Sequence, residues 1–172
     1  MKQMILGAVV AIVLLAAVTF PRAATGDEDA IRQARDRAEI ESLMWRYVRA
    51  LDTSNADAYA AVYTPDGQFG SGANATKGRE ALTKMITDLR ERGAAAAAKG
   101  EPRPPMYHVI TQPNIEFVDK DHARYQAYWM TVFGSAGANT PVRVAAAGRE
   151  YDELVRLNGQ WLLKLRDVAP KD

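Results

Sequence analysis

GREYDELVRLNGQWLLKLRDV, residues 148–168, is the stretch on which the fold turns. Two runs rich in apolar and β-branched residues flank Asn158-Gly159. Asn and Gly tolerate positive φ at both central positions of a tight turn, so the pair predicts a two-residue hairpin. Beyond it, Trp161, Leu163 and Leu165 alternate on one strand face, and upstream Tyr125, Ala127, Trp129, Thr131 and Phe133 do the same. Four strands are expected, over 106–118, 122–133, 141–157 and 160–168. Asp119-Lys120-Asp121, the Gly134–Gly137 cluster and Asn158-Gly159 separate them. Short links between such runs make an antiparallel meander.

The chain before Met106 is of another kind. DEDAIRQARDRAEIESLMWRYVRALD, residues 27–52, places Ile31, Ala34, Ala38, Leu43, Tyr47 and Leu51 at spacings of three to five, one face of a helix. Its acidic start suits the positive end of the helix dipole. Asn55 is placed to cap a short second helix over 56–63. Thr64-Pro65-Asp66-Gly67 reads as a turn leading to a short strand at Gln68-Phe69. A third helix is expected from Arg79, with Leu82, Met85, Ile86 and Leu89 on one face. GEPRPP then blocks helix and ladder alike, because proline lacks the donor. Helices followed by a meander of strands define an α+β domain.

The 172 residues are 48% apolar and 25% charged, an ordinary balance for one globular domain. Neither a basic stripe nor a nucleic-acid motif is present. With no cysteine, disulfides, thiolate chemistry and cysteine-held metals are excluded. Met4–Phe20 is an uncharged apolar run of 17 residues behind Lys2, followed by PRAATG. That order fits an export signal, and the run is short for a membrane span. Residues 1–26 are therefore expected to be a removable signal and 27–172 the domain, exported to the periplasm or medium. A retained run would instead anchor the domain to the membrane.

YVRALDTSNADAYAAVYTPDGQF (47–69), KGREAL (77–82), MYHVITQPNIEF (106–117) and residues 148–168 together resemble the SnoaL-like group of the nuclear transport factor 2-like superfamily. The resemblance implies a cone, a curved and mostly antiparallel sheet wrapped by about three N-terminal helices, with a pocket inside. It implies dehydratase- or isomerase-like acid–base chemistry on a small, largely apolar molecule without a cofactor or metal, and a homodimer. The same group includes many members with no known activity, so a non-catalytic ligand-binding or accessory role is the alternative. By resemblance to the dehydratases, Asp52 closing the first helix pairs with His108 on the first long strand, and Tyr47 lines the pocket. The further partners of those enzymes are missing. VRVAAAG (142–148) holds no second histidine, QAYWMTVF (126–133) holds no acid, and Trp45-Arg46-Tyr47 stands where one type has a lysine.

Elimination or enolisation needs a base that titrates near neutrality, and imidazole is the natural one. A carboxylate on its other nitrogen fixes the tautomer and stabilises the imidazolium. Tyr47 could then donate to a carbonyl or leaving hydroxyl. Plainer readings stand beside these. Asp52 could cap the turn through DTSN, His108 could be an ordinary strand histidine, and Tyr47 could be core. His122, in the charged link VDKDHA, is expected in solvent, and Arg149 and Glu150 on the outer surface, with inward polar groups beside a bulge at Gly148 as the alternative.

Overall fold

The structure is a computed structural model that describes residues 24–101, 104–137 and 140–170. The Met4–Phe20 run lies outside them. Helix α1 runs Ala24–Asp52, α2 Ala56–Ala61 and α3 Arg79–Ala98. Strand β1 is Tyr63–Phe69, β2 Thr76–Lys77, β3 Met106–Phe117, β4 His122–Phe133, β5 Arg143–Leu157 and β6 Gln160–Asp167. One six-stranded sheet has the order β2-β1-β6-β5-β4-β3 and is antiparallel except between β1 and β6. The sheet is not closed, and the helices cover its inner face: an α+β cone, as the sequence led us to expect.

Local chemistry accounts for the elements. Asn158 (φ 53°) and Gly159 (φ 79°) both sit at positive φ and turn β5 into β6. The Asn55 side chain accepts from the Ala58 N–H at 3.1 Å and starts α2. Along α1 the buried stripe is Ile40, Leu43, Met44, Tyr47, Val48 and Ala50. These pack with Ile115, Tyr125, Leu154, Trp161 and Leu163 from the sheet, and α2 and α3 add Tyr59, Leu82 and Ile86. Each large side chain so buried contributes roughly 1.5–3 kcal/mol.

Three expectations change. The first half of the α1 stripe is not core: Ile31 is 54% exposed, Ala34 and Ala38 are exposed, and Asp36 is buried instead. Asp36 takes ion pairs from Arg32 and Arg156, so α1 docks through charge there and through apolar packing only from Ile40. Thr64–Gly67 does not reverse the chain. It bulges out of β1, where the register with β6 jumps between Tyr63↔Leu163 and Gln68↔Leu165. Glu150 is buried rather than superficial, whereas its neighbour Arg149 is exposed.

The β1 bulge depends on Gly67. A Cβ there would stand 2.8 Å from the Tyr63 Cβ and 3.0 Å from the Leu163 carbonyl oxygen. Neither neighbour is a flexible tip. Gly67→Ala is expected to cost about 1–3 kcal/mol by overpacking, read as a Tm drop of about 2–4 °C per kcal/mol. An unchanged melting curve would show that the bulge has slack.

Candidate functional site

Asp52 is the last residue of α1, and His108 is the third of β3. Along β3 the side chains of Met106, His108 and Ile110 are partly buried while Tyr107 and Val109 between them are exposed, so alternation turns His108 inward. The Asp52 Oδ1 accepts from the His108 backbone N–H at 3.0 Å and lies 2.8 Å from its Nδ1. Both side chains are largely sheltered, 7% and 17% exposed respectively. A carboxylate only accepts hydrogen bonds, so in the neutral ring the tautomer with the proton on Nδ1 and the lone pair on Nε2 is the one favoured. The structure thus brings together the two residues singled out in the sequence, and clamps the ring through main chain and side chain at once.

His108, with Asp52 behind it, borders a cavity of about 210 Å³. His108, Tyr47 and Arg166 form its polar side, and Leu51, Phe69, Ile110 and Trp129 its apolar walls. Trp129 is fixed by its indole N–H, which donates to the carbonyls of Val168 (3.0 Å) and Arg149 (3.1 Å). Its ring lies over Gly148, where a Cβ would meet it at 3.0 Å. His122 is in solvent, with its Nδ1 2.9 Å from Asp119 in the β3–β4 link. A larger concavity of about 760 Å³ follows the outer side of α1. Its titratable lining residues are Glu39, Arg46 and Arg49, with no histidine among them.

Behind the cavity wall lies a buried charge cluster. The two terminal nitrogens of Arg166 donate to Asp152 and Glu150, each at 2.5 Å. All three side chains are at most 2% exposed. The Tyr47 ring stacks on the guanidinium at 4.1 Å, and the hydroxyls of Tyr59 and Tyr63 lie 3.1 Å apart beside it. Burial pushes the Tyr47 phenol up, with Arg166 pulling partly back. Tyr47 is therefore a neutral donor at physiological pH. Burial also raises both carboxyls against the pull of Arg166, Asp152 to about 8. The Arg166 Nε, Glu150 Oε1 and Asp152 Oδ1 have no hydrogen-bond partner among the described residues.

The sequence reading missed Arg166, and the reason is a bulge. Strict alternation from Trp161 and Leu163 puts Leu165 inside and Arg166 outside. The register between β5 and β6 shifts by one, from Leu154↔Leu163 to Glu153↔Leu165, so Lys164 is an extra residue and Arg166 turns inward opposite Asp152. A signal was available on the other strand. Glu150, Asp152 and Leu154 share one face of β5, and two acids on a core face need a cation.

The raised carboxyls have a consequence for stability. Unfolded, Asp152 loses its proton near pH 4; folded, it keeps it to about pH 8. Between these values the folded chain binds more protons, so stability falls as pH rises through the window. Glu150 acts in the same direction. The groups facing Asp152 are Glu150 on its own strand, Arg166 and Asp167 on β6, and Tyr47 and Tyr63 from α1 and β1. The Tm is expected to decline from pH 5 to pH 8, and Asp152→Asn to flatten that decline. An equal slope in the variant would place the titration elsewhere.

No curated protein matches the chain in sequence. Solved structures do. An NTF2-like protein with a cystatin-like fold from Novosphingobium aromaticivorans is 22% identical with a TM-score of 0.69, covering 87% of this chain and 90% of that one. A scytalone dehydratase-like protein from the same organism is 21% identical with a TM-score of 0.63, over 80% and 85% of the two chains. A protein from Catenulispora acidiphila, solved in complex with S-DNPA, is 24% identical with a TM-score of 0.62, over 77% and 91%. At these identities the likeness is one of fold. The model of the SnoaL-like domain matches residues 32–167, nearly all of the chain after the N-terminal segment, and the chain belongs to the SnoaL-like family.

Proposed function

We propose that this protein is an exported lyase or isomerase that moves a proton on a small, largely apolar carbonyl compound. The observation that carries the reading is the Asp52–His108 pair at the edge of an apolar cavity. His108 Nε2 takes a proton from the carbon next to the carbonyl, and Asp52 balances the imidazolium charge. The electron pair moves onto the carbonyl oxygen, where the Tyr47 hydroxyl supplies a donor. The imidazolium then returns the proton, to a distal carbon in isomerisation or to a departing hydroxyl, lost as water, in elimination. No step calls for a cofactor.

Export rests on the Met4–Phe20 run, with residues 1–26 as signal and 27–172 as mature domain, and N-terminal sequencing of the protein from the culture or periplasm tests it. Homodimer formation through the outer sheet face is supported by Tyr107, Val109, Tyr128 and Val144, which are exposed there.

Proton abstraction can be tested without knowing the substrate. 2-Cyclohexen-1-one incubated in D₂O with the protein should exchange its acidic C–H protons faster than in buffer, by proton NMR, and His108→Gln should abolish the excess. Absence of exchange in the wild type would leave the non-catalytic ligand-binding role as the reading of choice.

A further inference from the structure

The charges around the cavity restrict what enters it. Arg166 is the only cation among its lining residues, and Glu150 and Asp152 hold both of its terminal nitrogens. Two carboxyls against one guanidinium make a cluster that is neutral with Asp152 protonated and negative without that proton. In neither state is it a net cation. Asp52, hydrogen-bonded to the lining residue His108, adds another carboxylate close by. A ligand carrying its own negative charge would give up its hydration and find no uncompensated positive charge in return. The neutral donors at the lining are the hydroxyls of Tyr47 and Thr131, and a neutral acceptor oxygen suits both.

Volume sets the second limit. At about 210 Å³ the cavity lies below the span of roughly 300–1,000 Å³ usual for drug-sized ligands. It equals about seven water molecules at liquid density, or about ten close-packed heavy atoms. Its walls do not give easily. Trp129 is held by two hydrogen bonds and backed by Gly148, and the Tyr47 ring is pinned on Arg166. Apart from Thr131, the rest of the lining is apolar: Leu51, Phe69, Ile110 and Val168.

We propose that the cavity accepts an uncharged single-ring compound bearing one acceptor oxygen, a cyclic enone or ketone by class, and discriminates against carboxylates and fused-ring molecules. This specificity rests on the reading of the site as a proton-transfer centre, yet it concerns binding and can be measured apart from turnover.

The test is an NMR titration of the full-length mature protein, following the His108 ring and the Trp129 indole N–H. Three probes are compared: 2-cyclohexen-1-one, benzoate of similar size, and a four-ring 3-ketosteroid. The enone should bind at least tenfold more tightly than benzoate, and the steroid should leave both signals unmoved. Ile110→Trp, which fills the cavity, should abolish enone binding; Thr131→Leu, a gentler change in the same wall, should weaken it if the larger variant does not fold. Benzoate binding as well as the enone, steroid binding at the site, enone binding indifferent to both variants, or no binding by any probe would overturn the proposal. The two readings fail separately. An enone that binds without proton exchange removes the catalytic role and keeps the specificity, whereas a steroid that exchanges through His108 does the reverse.

Discussion

Arg166→Met is expected to destabilise the protein by about 3–5 kcal/mol, the cost of leaving buried carboxyls without their counter-charge. That is a large share of a typical stability of about 5–15 kcal/mol. The loss does not come from the surface of the arginine but from what it leaves behind. Glu150 and Asp152, both fully buried, would face each other and the tyrosines with no cation between them. Their remaining escape is to take up protons. The variant should therefore recover stability on acidification more steeply than the wild type, and Arg166→Met combined with Glu150→Gln and Asp152→Asn should regain much of the loss at neutral pH. Urea unfolding at pH 5 and pH 7.5 reads all of this as shifts in midpoint. An Arg166→Met chain as stable as wild type at pH 7.5 would mean that the cluster is hydrated and cheap.

His108→Gln is expected to reduce proton exchange by about 10²–10⁴-fold, the usual worth of a positioned general base. Asp52→Asn should do less damage. Oδ1 already serves two donors, the His108 N–H and Nδ1–H, and an amide oxygen can accept both. The ring stays where it is and keeps its tautomer; what disappears is the negative charge that stabilises the imidazolium. The order of rates should be wild type, Asp52→Asn, His108→Gln, and neither variant should melt far from wild type. Asp52→Ala differs, because it strands the His108 backbone N–H and adds about 1–3 kcal/mol of destabilisation. Should Asp52→Asn match His108→Gln in rate, the pair would act as a unit rather than as a base with a supporting charge.

Most of the architecture was legible because it rests on short-range rules. Asn158-Gly159 permits one turn, Asn55 caps one helix, and the period-two runs mark four strands whose observed bounds differ from the expected ones by two residues or fewer. What escaped is long-range. The core stripe of α1 depends on where the helix meets the sheet, and neither Ile31 nor Asp36 carries that information alone. Asp52 and His108 stood out only through resemblance; their hydrogen bond spans 56 residues of sequence and needs the fold to be seen. Glu150 and Arg166 escaped for different reasons. Glu150 was assigned by charge to the surface, and Arg166 by parity, since a bulge is invisible to a rule that counts residues two at a time.

That bulge at Lys164 makes the chemistry of the cavity a matter of counting. The ladder on either side of it is regular; were Lys164 paired in turn instead of bulged out, the facing of everything downstream would invert. Pairing Lys164 into the ladder would carry the guanidinium of Arg166 to the outer face and bring Leu165 in its place, whereas loss of the Lys164 codon would close the ladder on the same pairs and leave Arg166 opposite Asp152. Insertions and deletions in strands are commonly regarded as damage. Here one extra residue is absorbed where it does no harm, and the bulge that holds it is what keeps the guanidinium, rather than a leucine, facing the interior.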